Sequence, residues 1–230
     1  MPRPLADPLR ALWRQRAPSA TLAEAVYQTL RAAIRQGLLS EAEPLRESRL
    51  AARLAVSRTP VREALQRLTR EGLIGHAQGK GVAVPALDSR DLDEIYEIRL
   101  ALEPAAARLA ARSVSAHELA AMRALLLQAE GESDPHRLAA LSARFGDLVG
   151  EAGRNRRLAA LIRQHRDGIL RVEGSTLDHP GRMDKVLAEH RALLSALEAH
   201  DPDSAARATT EHLEAARRLR LQLHFERAQP

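Results

Sequence analysis

The sequence predicts a mainly α-helical protein with two parts: an N-terminal winged helix-turn-helix with a small β-hairpin wing, and a C-terminal antiparallel helical bundle. Hydrophobic residues make up 45% of the chain and aromatic residues only 2%, so the apolar content is mostly Ala and Leu, which favour helices. Helix-start signals recur along the chain, while strand signals are confined to one short stretch.

The charge of the chain is unevenly distributed. Residues 1–86 hold 14 Lys and Arg against 7 Asp and Glu, whereas residues 87–230 hold 21 against 23. A basic segment of this kind is a candidate binder of a polyanion. The nearly neutral remainder is expected to have a different role.

The composition excludes several classes of protein. The chain has no cysteine, which excludes disulfides, thiolate catalysis and zinc-thiolate sites. It has no run of about eighteen apolar residues that could span a membrane, and no secretory signal segment. We therefore expect a cytoplasmic protein with no membrane partner.

The first 86 residues are predicted to form a tail and a small domain. Residues 1–19 contain four prolines and several arginines without a period, which predicts a flexible tail. Residues 20–86 are predicted to form the winged helix-turn-helix. In this domain, a short helix that begins at Ser48 is separated by only three residues (55–57) from the next helix, which is the helix-turn-helix geometry.

The second helix of this pair presents two arginines on one face. Arg58 and Arg62 are four residues apart and therefore lie side by side, and either Ser57 or Thr59 can cap the helix. Its apolar residues share a different face: Val61, Leu65 and Leu68. Arginines and free amides at a helix start suit a phosphate backbone and guanine edges. The segment alone could also be an ordinary solvated helix, so its neighbours decide between the two interpretations.

A β-hairpin is predicted directly after this helix. Residues 73–77 and 81–84 have strand character and flank a short basic tip. Gly79 would let the backbone approach a ligand closely, and Lys80 could reach a phosphate or a minor groove. Lys80 could also be an ordinary exposed loop lysine. However, a hairpin directly after the second helix of a helix-turn-helix has the position of a wing.

The N-terminal motifs closely resemble the winged-helix domain of GntR-family transcriptional regulators over about residues 20–85. The matching segments are Leu45-Arg46-Glu47, Val56-Ser57-Arg58-Thr59-Pro60-Val61-Arg62-Glu63-Ala64-Leu65 and Glu71-Gly72-Leu73. The resemblance implies that Arg58 and Arg62 contact double-stranded DNA. It also implies supporting DNA contacts from Ser57, Thr59, Arg46 and the wing-tip residues Gly79 and Lys80.

Residues 87–230 are predicted to form an all-helical domain of about six helices. Three polar side chains lie on otherwise apolar helix faces: Arg99, His190 and His212. A polar group that points into a bundle needs a partner from the protein, from water or from a ligand. Each could be a satisfied core residue, but three such residues on different helices favour an internal ligand site.

Three segments of this domain resemble the FCD effector-binding domain of FadR-type GntR regulators. They are Tyr96 to Ala106, Glu189 to Leu197, and Glu211-His212-Leu213. Many such domains bind a divalent metal through an aspartate and three histidines, and the metal helps to hold a small carboxylate effector. His190 and His212 match two of these histidines.

The other two metal positions depart from the family pattern. Ser142 stands where the aspartate is expected and Gly146 where the third histidine is expected. Asp147 is one residue out of register, about 100° round a helix. A transition metal usually needs three or four protein ligands. We therefore expect no metal and no other cofactor.

Without a metal, the pocket is expected to hold its effector by direct hydrogen bonds. The residues predicted to make them are Arg99, Ser142, His190 and His212, and Gly146 is expected to leave extra room. If a metal did bind, His190 and His212 would be its ligands. Because these groups are donors or cations, the predicted effector is an anionic small molecule.

The leading hypothesis is a transcriptional regulator, by default a repressor, and not an enzyme. A homodimer would bind a palindromic operator, and the effector would change the spacing of the two reading helices. The alternative is a ligand-insensitive architectural DNA-binding protein whose helical domain serves only dimerisation. A metalloenzyme is disfavoured because the chain has no HExxH motif, no nucleophile elbow and no cysteine.

Overall fold

The computed structural model describes residues 7–16, 18–35, 38–39, 44–77, 81–85, 87–169 and 176–228. The described residues divide into two compact units: an N-terminal unit of the residues up to Leu87 with residues 167–169, and a C-terminal unit of residues 88–166 and 176–228. Within the described residues the units are mainly helical, with one small hairpin, which confirms the predicted fold class.

The described residues of the N-terminal unit form four helices and a two-stranded hairpin. In chain order they are α1 (Pro8–Arg14), α2 (Leu22–Arg35), α3 (Glu47–Leu54), α4 (Arg58–Arg70), β1 (Gly75–Ala77) and β2 (Gly81–Ala83). One apolar core joins them, and its fully or almost fully buried side chains include Leu30, Ile34, Leu54, Val61, Leu68 and Ile74. This core buries the apolar face of α4, as the spacing of the apolar residues in α4 predicts.

Helix α1 corrects the prediction of a flexible tail. Among residues 7–16, Pro8 occupies the first helical position, where a missing amide costs nothing. Leu9 and Trp13 are four residues apart and share one face; Leu9 is fully buried and Trp13 is 9% exposed. The prolines suggested a linker, but this apolar pair anchors the segment to the core.

Asp7 fixes the start of α1 in two ways. Its side chain accepts a hydrogen bond from the amide of Leu9 at 3.0 Å. The same carboxylate accepts two hydrogen bonds from Arg53 on α3, at 2.8 Å from Nε and 2.6 Å from Nη2. These contacts with Arg53 lower the pKa of Asp7 from its ordinary value of 3.8 to about 2.

The C-terminal unit is a helical bundle. Its helices are α5 (Ser89–Ser113), α6 (Ala116–Glu130), α7 (Pro135–Ala152), α8 (Arg156–Ile169), α9 (Arg182–Glu198) and α10 (Pro202–Ala228), with a short 3-10 turn at Thr176–Asp178. Capping boxes of Asp88 with Asp91 and of Ser115 with Glu118 start α5 and α6. None of the described helices is long and apolar enough to cross a membrane.

Asp7→Asn is expected to lower the unfolding midpoint of the N-terminal unit at pH 7, because it removes the charge that pairs with Arg53. The folded-state pKa of Asp7 is depressed, so its contribution is fully present above about pH 4 and is lost as the pH falls towards 2. Fluorescence of Trp13, the single tryptophan of the chain, reports the transition.

Glu63→Gln is the matched control for Asp7→Asn, since Glu63 is an exposed carboxylate on α4 of the same unit. This control should leave the midpoint unchanged at every pH. If Asp7→Asn and the wild type unfold at the same temperature at pH 7, Asp7 does not anchor α1.

Candidate functional site

The N-termini of α3 and α4 lie side by side in the N-terminal unit. Glu47, the first residue of α3, accepts hydrogen bonds from Nε and Nη2 of Arg62 on α4, each at 3.0 Å. Arg46 holds the N-cap position of α3 and is exposed. The ion pair therefore brings Arg46 and Arg62 to the same region of the surface.

The start of α4 exposes the remaining predicted contact residues of this helix. Ser57 occupies the N-cap position with an extended backbone, but its hydroxyl makes no capping hydrogen bond. Arg58 and Thr59 follow it, and all three side chains are exposed. The side chain of Arg62 is 59% exposed despite its ion pair. Two adjacent helix N-termini thus present three arginines to solvent, an arrangement that suits a phosphate backbone.

The hairpin has the predicted place in the chain but is shorter than the pattern suggests. β1 and β2 pair antiparallel, with Gly75 opposite Ala83 and Ala77 opposite Gly81. The amide of Leu45 donates to the carbonyl of Val82 at 2.7 Å, which ties the hairpin to the segment before α3. The predicted tip residues, Gly79 and Lys80, lie outside the described residues, and their roles stay predictions.

In the C-terminal unit, α7, α9 and α10 bring three rings together. Phe145 stacks on His190 with ring centroids 4.7 Å apart and planes 18° apart. His190 faces His212 with centroids 5.2 Å apart. Ser142 lies one turn before Phe145, and its buried hydroxyl has no hydrogen-bond partner within the described residues. Three of the four predicted effector residues therefore lie on helices that meet at this cluster.

Arg99, the fourth predicted effector residue, is held by a carboxylate on its own helix. It is only 8% exposed, and its Nε donates to Glu103 at 2.6 Å. Glu103 also faces Nη2 of Arg166 on α8, at 3.5 Å. Burial alone would raise the pKa of Glu103, but Arg99 and Arg166, together with His212, lower it to about 2.

Glu189 joins His212 to a second buried arginine. Its carboxylate accepts from Nδ1 of His212 at 2.6 Å and from both terminal nitrogens of Arg182, at 2.5 and 3.0 Å. Burial opposes ionisation of Glu189, but these donors outweigh it and lower its pKa. The bond to Glu189 fixes the orientation of the His212 ring.

His190 is a buried imidazole without a hydrogen-bond partner among the described residues. Burial lowers its pKa well below the ordinary 6.5, and the neighbouring His212, Arg166 and Arg182 lower it further. The ring is therefore neutral near pH 7, with one donor and one acceptor nitrogen. Both nitrogens are left for a ligand, and the fully buried hydroxyl of Ser142, which is also unpartnered within the described residues, lies on the neighbouring helix α7.

The family's metal site does not fit the residues present here. An ideal Cβ built on Gly146 would lie 2.7 Å from Nη1 of Arg166, 2.9 Å from Nη2 and 3.0 Å from Cζ. The expectation that Gly146 leaves extra room is therefore wrong, because the Arg166 guanidinium occupies that space. Among the described residues, no group of three or more His, Cys, Asp and Glu could hold a metal ion.

The charged partners of the predicted site are not among the residues predicted from the sequence. They are Glu103, Arg166, Arg182 and Glu189. Glu103 lies four residues after Arg99, so helical spacing could have identified that pair. The 19 residues between Gly146 and Arg166 carry no such signal, because the contact joins two different helices.

His190→Gln is expected to weaken the pH dependence of stability in the C-terminal unit. Above pH 6.5 neither the folded nor the unfolded wild type carries a proton on this residue. Below pH 6.5 only the unfolded chain takes one up, so the free energy of unfolding falls by up to about 1.4 kcal/mol per pH unit until the folded-state pKa is reached. Urea unfolding followed by circular dichroism between pH 5 and 8 measures the slope.

His117→Gln is the control for this series, because His117 is exposed on α6. Its slope should match that of the wild type. A slope in His190→Gln equal to that of the wild type would mean that His190 is not held neutral in the fold.

Two family models match the chain. "Bacterial regulatory proteins, gntR family" matches residues 22–84, and "FCD domain" matches residues 94–215. The chain is 36% identical over 204 residues to a probable D-xylose utilization operon transcriptional repressor of Paenarthrobacter nicotinovorans, covering 85% of this chain and 87% of that protein. It is 30% identical over 193 residues to the uncharacterized HTH-type transcriptional regulator YdhC of Bacillus subtilis (strain 168), covering 81% and 85%.

A solved structure has a similar fold. The E. coli protein McbR/YncC superposes with a TM-score of 0.79 at 26% sequence identity, covering 90% of this chain and 100% of that one. The two family matches fall on the two structural units. The chain therefore belongs to the GntR family of bacterial regulatory proteins, in the FadR-type group with a C-terminal FCD domain, and is a DNA-binding transcriptional regulator.

Proposed function

We propose that this regulator is a homodimeric repressor that binds a palindromic operator and changes its affinity when a small anionic metabolite binds the helical domain. The observation that carries the DNA-binding part is the exposed arginine surface at the adjacent starts of α3 and α4. The observation that carries the effector part is the buried imidazole of His190, which has no hydrogen-bond partner among the described residues.

The two arginines of α4 have the chemistry of base-reading residues. A guanidinium can donate two parallel hydrogen bonds to O6 and N7 of a guanine in the major groove. Arg58 and Arg62 are exposed and one turn apart, so both can enter the same groove. Arg46 at the start of α3 would contact the phosphate backbone, with support from Ser57, Thr59 and the wing-tip residues Gly79 and Lys80.

Arg62 must leave its ion pair with Glu47 before it can bind a guanine. The bidentate ion pair holds the guanidinium at the protein surface and satisfies two of its donors. An exposed pair of this kind contributes little to stability, so a guanine can replace the carboxylate at small cost. Arg62 is thus positioned near the groove before DNA arrives.

The helical domain offers a polar interior suited to a carboxylate. Arg99 and Arg166 supply guanidinium groups, and His190, His212 and the unpartnered hydroxyl of Ser142 supply hydrogen-bonding groups. Charge-assisted hydrogen bonds of this type are strong and directional. An effector changes operator affinity only if it binds the DNA-competent and incompetent states differently.

Repression is the proposed direction of control, and dimerisation is the proposed assembly. The D-xylose-operon relative carries a repressor's name, which supports the first point for this chain. Two copies of α4 would face two half-sites about one DNA turn apart, which matches the two-fold symmetry of a palindrome.

Arg58→Ala and Arg62→Ala are each expected to cost about 1–3 kcal/mol of specific operator binding, because each removes a bidentate base contact. The operator is first selected from genomic fragments bound by the wild type. Affinities for it are then measured by fluorescence anisotropy at fixed salt, since salt alone changes protein–DNA affinity.

Arg70→Ala serves as the matched control, because Arg70 is an exposed arginine at the far end of the same helix. It should lose less affinity than either reading-helix variant. Unchanged affinity in both Arg58→Ala and Arg62→Ala would reject α4 as the reader. Titrating carboxylic acids into the wild-type complex tests the effector: release by one of them supports the regulator, and no effect of any favours the architectural alternative.

A further inference from the structure

The guanidinium of Arg166 lies against residue 146, the position at which the family's third histidine is expected. The overlap with any side chain at residue 146 means that a histidine there would require Arg166 to leave. Arg166 comes from α8, whereas the position it fills belongs to α7. A fixed positive charge of the protein itself therefore lies where related domains place a ligand for a metal ion.

Arg166 is held by weak contacts and keeps unused hydrogen-bond donors. Its Nη1 donates to Asp147 at 3.2 Å and to the carbonyl of Ala143 at 3.3 Å, and its Nη2 faces Glu103 at 3.5 Å. These distances lie at or beyond the long end of the usual range for N–H···O bonds. A guanidinium has five donor hydrogens, so these three contacts do not saturate it.

The surroundings of Arg166 disfavour a divalent cation. Arginine does not lose its proton in proteins, so its charge is permanent. A metal ion coordinated by the neighbouring His190 and His212 would face this charge in a largely buried site, where screening by water is weak. The same charge favours an anion at that place.

We propose that Arg166 takes the place of the metal in this FCD domain and binds a carboxylate of the effector directly, with His190 and Ser142 completing the contacts. This inference rests on the proposed effector-binding function. It assigns the anion-holding role to a residue outside the family's metal-ligand positions.

Asp147 is the partner that the effector would displace. Nη1 of Arg166 donates to both Asp147 and the carbonyl of Ala143, so an effector carboxylate that binds this nitrogen would compete with Asp147. The side chain of Asp147 is 29% exposed, whereas that of Glu103 is 11% exposed. Asp147 can therefore turn towards water. The effector carboxylate then accepts the hydrogen bond from Arg166 that Asp147 has given up.

The first test measures metal binding by the full untagged chain. Wild type, Ser142→Asp/Gly146→His, and the triple variant Ser142→Asp/Gly146→His/Arg166→Ala are incubated with zinc, dialysed, and analysed by mass spectrometry for zinc per chain. We expect far less than one zinc in the wild type and in the double variant, and about one in the triple variant, which combines the family's ligand set with removal of Arg166. About one zinc in the wild type or in the double variant would overturn the proposal.

A second measurement keeps the test decisive if the triple variant does not fold. Gly146→Ala gains helix propensity in any background, but in the wild type the added Cβ also meets the guanidinium of Arg166, which must shift. The effect of Gly146→Ala on the unfolding midpoint should therefore be less favourable in the wild type than in an Arg166→Ala background. An equal effect in both backgrounds would show that Arg166 does not fill this space and would overturn the proposal.

The carboxylate contact is tested with acetate, malonate and citrate at constant ionic strength, with chloride as the balancing anion. At least one of them should raise the midpoint of the wild type and of Arg163→Gln, a control on the same helix, but not that of Arg166→Gln. No rise in the wild type, or an equal rise in Arg166→Gln, would overturn direct binding. These assays contain no DNA, so their results do not depend on whether the protein binds an operator.

Discussion

A buried carboxylate between two arginines is the constraint on which the helical domain depends. Glu103 faces Arg99 on its own helix and Arg166 on α8, and its side chain is only 11% exposed. Removing one partner of such a group leaves a buried charge unpaired, which is strongly destabilising, although the whole set need not stabilise the fold. The polar interior therefore fixes how α5, α7 and α8 meet, while apolar clusters elsewhere in the bundle supply the burial energy.

The N-terminal unit differs from the helical domain, because it exposes its arginines on a helix that packs against an apolar core. Its core buries one face of α4 through Val61 and Leu68, which leaves Arg58 and Arg62 on the surface. Helix α1 adds Leu9 and Trp13 to the same core. A DNA-reading helix whose inner face packs against the core loses little conformational freedom when it binds DNA. This limits the entropic cost of association.

The sequence predicted those parts of the molecule that depend on local spacing. The turn before α4, the capping boxes at Asp88 and Ser115, and the hairpin all follow from residues close together in the chain. The approach of His190 to His212 followed from a family resemblance. Helix α1 has local signals, since Asp7 caps it, Pro8 starts it, and Leu9 and Trp13 share a face, but the prolines of residues 1–19 suggested a tail instead. The position of Arg166 could not be predicted, because it depends on contacts between distant segments. A glycine at 146 indicates that a side chain is absent, but only the folded chain shows that Arg166 fills the space.

The most direct test of this account is a crystal structure of the wild-type chain grown with zinc, with diffraction data collected at the zinc absorption edge. We expect density for the Arg166 guanidinium beside Gly146 and no anomalous peak between His190 and His212. A zinc peak bound by His190 and His212, with Arg166 turned away from Gly146, would contradict it.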